Sequence, residues 1–188
     1  MKHNLAEMSS LDIYLSRLTN EEYDKIKHKI GSGKSKPRPL LSWDIYMEGY
    51  HKRLTEARRR MELEKVLSFA KQFNWQNDLE IAFSENDYEG LVITDINQKI
   101  IWVNDGFTSM TGYSKSFALN KTPRFLQGEK TSLSTKARIK SKIKLDKPFK
   151  EVIINYRKDK SIYKCEVKII PLYYKETTHF IALEKQVI

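Results

Sequence analysis

The sequence predicts an α+β domain, a five-stranded antiparallel sheet with short helices on one face, preceded by an N-terminal helical extension. Three observations lead there. Leu91-Val92-Ile93-Thr94 and Ile100-Ile101-Trp102-Val103 are strand-like runs on either side of a polar turn, Asp95-Ile96-Asn97-Gln98-Lys99. Three further strand-like runs, over 149–157, 162–171 and 178–185, close the chain, the first two joined by Lys158-Asp159-Lys160-Ser161. Ahead of the sheet, residues 42–75 contain no proline. They place Trp43, Met47, Tyr50, Leu54, Ala57 and Met61 at alternating steps of four and three, the stripe of a long helix.

Taken in order, the chain reads as three regions: a helical segment with a linker over 1–39, a long amphipathic helix over 40–76, and the sheet domain over 77–188. Thr19-Asn20-Glu21-Glu22 has capping-box spacing and opens a helix that runs to about Ile30. Leu11, Ile13, Tyr14, Leu15 and Leu18 before it form an apolar segment that needs a covering surface. Gly31-Ser32-Gly33-Lys34-Ser35-Lys36-Pro37-Arg38-Pro39 breaks regular structure and reads as a flexible linker. Ser42 suits the N-cap of the long helix, whose stripe resumes at Val66, Ala70 and Phe73 after a phase shift near 61–63. This helix is too long for a small domain to cover. It either lies back on the core or forms a coiled-coil-like dimer seam, and the residues leave both readings open. Inside the sheet domain, Asn104 suits an N-cap, Phe107, Met110 and Tyr113 bracket a short helix stopped at Gly112, and another helix spans about 132–145.

Composition narrows the function. The 188 residues carry a formal charge of +10, divided evenly between the first 75 residues and the rest, so no basic tail exists. The densest basic run lies between Lys130 and Lys150. Such dispersed lysines are mainly a solvated helix face, so nucleic acid is not the expected partner. No stretch approaches the about 18 apolar residues of a membrane span, and the start has no apolar signal region. A cytoplasmic protein is expected, with no membrane partner. The single cysteine, Cys165, excludes an internal disulfide and a multi-cysteine zinc site. The four histidines have no metal-ligand spacing, and no phosphate loop or nucleophile elbow appears. No catalytic and no metal-binding residue is expected, nor an enzyme activity.

Several motifs in the third region carry a family resemblance. Val103-Asn104-Asp105-Gly106-Phe107, followed by Thr111-Gly112-Tyr113, resembles the signature of PAS domains. Asn155-Tyr156-Arg157-Lys158-Asp159 and Thr178-His179-Phe180-Ile181-Ala182 are similar to two of that family's later strands. Arg124-Phe125-Leu126-Gln127-Gly128 narrows the resemblance to the LOV subclass, the flavin-binding light sensors. The first 75 residues have no counterpart in the core domain. In LOV domains the residue before this arginine is a cysteine that bonds to the photoexcited flavin. Here it is Pro123, which has neither a thiol nor a backbone N–H.

The resemblance implies six cofactor-binding positions. Arg124 matches the arginine that pairs with the flavin phosphate, and Gln127 the glutamine at the cofactor's polar edge. Asn155 matches one of two asparagines that read the flavin ring. Lys140 stands for a second phosphate-binding arginine, keeping the charge and losing the bidentate fork. Cys165 stands for the second ring-reading asparagine, removing an amide. Its bland reading is a small, inert, buried side chain. Thr122 replaces the asparagine before the absent cysteine. Glu184 stands for the glutamine of the last strand. There an ionised carboxylate would face flavin acceptors with no proton to share, at a cost of about 1–3 kcal/mol unless desolvation keeps it neutral.

These departures weaken flavin recognition, so the expectation is a PAS protein without a cofactor, with flavin mononucleotide (FMN) as the alternative ligand. Arg124, Gln127 and Asn155 then persist either as a structural unit or as a retained flavin site. Haem is disfavoured, since no histidine lies in 105–145. The expected function is that of a non-enzymatic sensory or regulatory protein in signal transduction, acting by ligand sensing or protein–protein interaction. Its signal would pass through the N-terminal helices to a homodimer or a signalling partner, with the outer face of the sheet as the interaction surface. No output domain is expected within these residues. The alternative is a blue-light sensor working without a cysteinyl adduct, with Trp102, Tyr156 or Tyr163 as electron donors.

Overall fold

A computed structural model of the chain describes residue 15, residues 17–29 and residues 43–187, with the backbone alone for 43–48. The chain divides into two units between Arg53 and Leu54. In the first unit, Thr19 and Glu22 form the expected capping box. The Glu22 N–H donates to Thr19 Oγ1, and the Thr19 N–H donates to Glu22 Oε2 at 3.0 Å. The helix it opens, α1 (Asn20–Ile26), passes into a 3-10 turn at Lys27–Lys29. The apolar run at 11–14 and the expected linker at 31–39 lie outside the described residues.

Helix α2 (Trp43–Phe73) crosses the boundary and enters the second unit at Leu54. Its two halves have different surroundings. Tyr50, Leu54 and Met61 stay exposed, whereas Val66 is fully buried and Leu63, Leu67, Phe69, Ala70 and Phe73 pack on the sheet. The change falls where the apolar stripe shifts phase. There the buried residue is Glu62, not an apolar one.

The sheet is antiparallel throughout, in the order β2-β1-β5-β4-β3, formed by β1 (Gly90–Asp95), β2 (Ile100–Val103), β3 (Phe149–Tyr156), β4 (Ile162–Tyr174) and β5 (Glu176–Val187). The Asp95 carboxylate accepts the Lys99 N–H at 2.8 Å and closes the β1–β2 turn, with Gln98 in the left-handed region. Alternation along the strands sorts the side chains into two layers. Leu91 and Ile93 of β1, Ile170 and Leu172 of β4, and Ile181 and Leu183 of β5 face α2 and α3 (Leu79–Ser84), together with Trp75. This face was expected to be free for a partner. Along β1, β5 and the second half of β4 it is covered, because the second half of α2 and α3 supply apolar cover there, while on β3 Lys150 and Val152 of the same face remain exposed. The segment between these helices is tied to β4, where Asn77 donates to the Pro171 carbonyl at 2.9 Å and accepts from the Tyr173 N–H at 3.0 Å.

The other face carries α4 (Asp105–Thr111), α5 (Lys115–Ala118), a 3-10 turn at Pro123–Leu126 and α6 (Leu133–Ile143). Asn104 caps α4 as expected, accepting the Phe107 N–H at 2.8 Å, and Gly112 ends it at φ +75°. Gly106 lets α4 approach the start of β1. A Cβ there would lie 1.8 Å from the Glu89 carbonyl oxygen, a contact no side chain survives. Pro123 opens the 3-10 turn at its first position, and Thr122 before it is extended, at ψ 148°.

Candidate functional site: a cavity between the sheet and its helical cover

Between the sheet and this helical cover lies a cavity of about 520 Å³, within the size range of small-molecule sites. Its apolar floor alternates along the strands as Val92 on β1, Ile153 on β3, Val167 and Ile169 on β4, and Phe180 and Ala182 on β5. The 3-10 turn brings Pro123, Arg124 and Leu126, with Gln127 next to it, and α6 brings Lys136, Ile139, Lys140 and Ile143. Five of the six positions implied by the resemblance therefore line one cavity: Arg124, Gln127, Lys140, Asn155 and Glu184. Arg124 and Lys140 are exposed, Gln127 and Lys136 half-buried, and Asn155 and Glu184 buried, so the lining runs from cations in solvent to neutral and acidic groups in the interior.

Cys165 is the sixth, and it does not line the cavity. It is fully buried among Met110, Ile153, Tyr163 and Val167, with Sγ 3.7 Å from the Glu166 carbonyl. Burial, reinforced by the Glu184 charge, pushes its thiol well above the ordinary range. A thiol held neutral in this way is a poor nucleophile.

Glu184 is the unusual group. Its Oε2 is buried and has no hydrogen-bond partner, and burial alone pushes the carboxyl up to about 7. A carboxylate would clash with ligand acceptors here, whereas the protonated form does not. Desolvation moves the midpoint of this carboxyl up to about 7, so it holds its proton on the acid side of neutrality, and a protonated carboxyl donates. The Tyr163 hydroxyl is also buried, with the Asn155 side chain beside it. Burial first, and the Glu184 charge second, push its phenol upward.

Three contributors escaped the sequence reading. Lys136 lies one helical turn before Lys140, and Thr94 two residues after Val92 on β1, so periodicity from known members would have found both. The third is Glu62, which lies outside the cavity and fastens α2 to the domain. Its Oε1 accepts from Asn104 Nδ2 at 2.8 Å and its Oε2 from the Tyr88 hydroxyl at 3.1 Å. Asn104 also donates to the Glu89 carbonyl at 3.0 Å and accepts from the Leu91 N–H at 2.8 Å, while the Glu89 N–H donates to the Glu184 carbonyl at 2.8 Å. A continuous set of hydrogen bonds thus links the residue of the cavity wall to α2. Nearby, Asp87 pairs with Arg59 of α2 and with Lys185 of β5, and these partners hold its carboxyl down at about 2.

A profile of the PAS domain family matches residues 89–185, more than half of the chain. The chain belongs to the PAS domain family. Among curated relatives, it is 38% identical over 102 residues to a blue-light photoreceptor of Listeria monocytogenes, a match covering 52% of this chain and 40% of that protein. It is 37% identical over 91 residues to a blue-light-activated histidine kinase of Erythrobacter litoralis, covering 43% of this chain and 26% of that one. Among solved structures, the LOV domain of a blue-light-activated histidine kinase from Erythrobacter litoralis superposes with a TM-score of 0.51 at 32% identity. That match takes in 54% of this chain and 98% of the solved one. The PAS domain thus has LOV homologues, and the chain spans less than half the length of these curated relatives. No helix among the described residues is long and apolar enough to cross a membrane.

Proposed function

We propose that this chain is a sensory PAS module of LOV type that takes a flavin-class ligand, works without a cysteinyl adduct, and passes its signal through α2. The supporting observation is the cavity itself. A pocket of about 520 Å³ remains open between sheet and helices, with cations at its solvent side and an unpartnered buried carboxyl oxygen at its wall. A purely structural role for Arg124, Gln127 and Asn155 predicts side chains bonded to one another. Among the described residues Arg124 and Gln127 share only a backbone hydrogen bond, and no side-chain hydrogen bond joins any two of the three.

The residues fit FMN. Arg124, Lys136 and Lys140 would hold the phosphate, Asn155 and Gln127 the polar edges of the ring, and protonated Glu184 an acceptor on that edge. When bound, FMN supplies visible-light absorption and electron uptake. Pro123 lines the cavity with no thiol, and Cys165 is packed beneath the cavity floor against Ile153 and Val167 without lining it, which supports a mode of action without a sulfur adduct. Output runs through Glu184, Glu89 and Asn104 to Glu62. The exposed stripe of Tyr50, Leu54 and Met61 on α2 is then covered by a second copy or a partner.

Titration of the purified full chain with FMN and riboflavin tests the ligand. FMN should bind at least tenfold more tightly, and Arg124→Ala with Lys140→Ala should remove that difference. Failure of both flavins to bind would refute the ligand assignment.

A further inference from the structure

We propose that Glu184 makes occupancy of this cavity proton-linked: the ligand is taken up by the protonated carboxyl and presents to it a hydrogen-bond acceptor, not an N–H. The inference rests on the ligand-sensing reading and specifies how that site is controlled.

Three features of the geometry carry it. First, the antiparallel register places Glu184 opposite Gly90 on β1 and Val167 on β4, in the interior of the sheet. Gly90 offers no side chain, and its Cα faces the Met110 methyl and the Glu184 carboxyl. Second, Oε2 is buried with no donor or acceptor from the protein, so the carboxyl keeps one unused hydrogen-bonding position at the cavity wall. Third, none of the described cations is bonded to the carboxyl; Arg157 is engaged instead by the Met110 carbonyl at 2.9 Å, the Tyr163 ring and Gln186. β1 contributes Gly90, α4 contributes Met110, β3 contributes Asn155, and β4 contributes Tyr163 and Cys165, both held neutral by burial. The nearest further acid is Glu89, which is exposed. The cations of the cavity sit on its solvent side, and burial alone sets the state of Glu184.

A ligand in the cavity lies against a carboxyl that the fold has already desolvated. An ionised Glu184 would then be a buried, unpaired charge, the costliest arrangement available. The protonated form gives the ligand a donor. Binding therefore raises the affinity of Glu184 for its proton, and by linkage the proton raises the affinity for the ligand. The sign follows: affinity is level below the carboxyl's own midpoint near 7 and falls about tenfold per pH unit above it.

Riboflavin is the appropriate probe because it lacks the phosphate, which has its own titration. Its binding to the full chain is measured from pH 6 to 9, alongside FMN. Calorimetry at pH 8 in two buffers of different ionisation enthalpy counts the protons taken up. The expected result is uptake approaching one proton per riboflavin at pH 8, the tenfold loss per unit above 7, and a flat profile in Glu184→Gln. Riboflavin binding that is level across this range with no proton uptake would overturn the inference and leave the ligand reading intact. If neither flavin binds at any pH, both fall together. The proton count on the unmodified protein decides the matter even if the variant misfolds.

Discussion

Replacing Glu184 with glutamine should stabilise the protein at alkaline pH and leave it unchanged in acid. The ordinary glutamate value of 4.5 describes the unfolded chain, and burial raises the folded value to about 7. Between these values the folded protein keeps a proton that the unfolded chain has released. Stability therefore falls as pH rises through this window, and the loss is complete above the folded value. At about 1.4 kcal/mol per pH unit, the interval corresponds to about 3 kcal/mol. Glutamine keeps the shape and the hydrogen-bonding capacity without a charge to desolvate. Relative to the parent, Glu184→Gln should gain nothing at pH 4 and up to about 3 kcal/mol at pH 8, or about 6–12 °C in Tm. Urea unfolding followed by the fluorescence of Trp75 and Trp102 measures this. The comparison between the two proteins matters, because Asp87, Glu151 and His179 also carry shifted values and titrate in both. An equal difference between the two proteins at pH 4 and pH 8 would refute the reasoning.

Three further outcomes are expected. Asn104→Ala removes the α4 cap, the bond to Glu62 and the acceptor for the Leu91 N–H, and should cost about 3–5 kcal/mol in denaturant unfolding. A loss below about 1 kcal/mol would show that α2 is not fastened through this residue. Leu54→Glu with Met61→Glu changes only exposed positions, so stability should move by less than about 0.5 kcal/mol while light scattering reports loss of self-association. A mass unchanged from that of the parent would count against α2 as the self-association surface. Cys165→Ala should leave flavin uptake and the light response as they are, since the thiol does not line the cavity. A lost photoresponse would assign the chemistry to this sulfur.

Much of the fold was legible because its signals are local. The apolar, β-branched run Leu91-Val92-Ile93-Thr94, the Asn104 cap and the Gly112 stop need no tertiary information, and each lies where expected. The fate of α2 was not legible, because its stripe suits burial on a sheet and burial on another helix equally. The structure divides it, with Val66 to Phe73 on the sheet and Leu54 and Met61 exposed. The phase shift marked the division, yet only a fold could show that Glu62 fills it with a bond to Asn104. At the cavity, motif matching found the residues that face one another across elements. It assigned Cys165 by position, and although the side chain is on the expected face of the sheet, packing against Met110, Ile153, Tyr163 and Val167 covers it. The protonation of Glu184 depends on how much water and charge surround it, and spacing along a chain carries no information about either.

The absorption spectrum of the purified full chain, after incubation with FMN and before and after blue light, tests the central claim most directly. The prediction is a flavin band in the visible that co-purifies with the protein and does not bleach to a sulfur adduct. A colourless protein that takes up no flavin at any pH between 6 and 9 would contradict it.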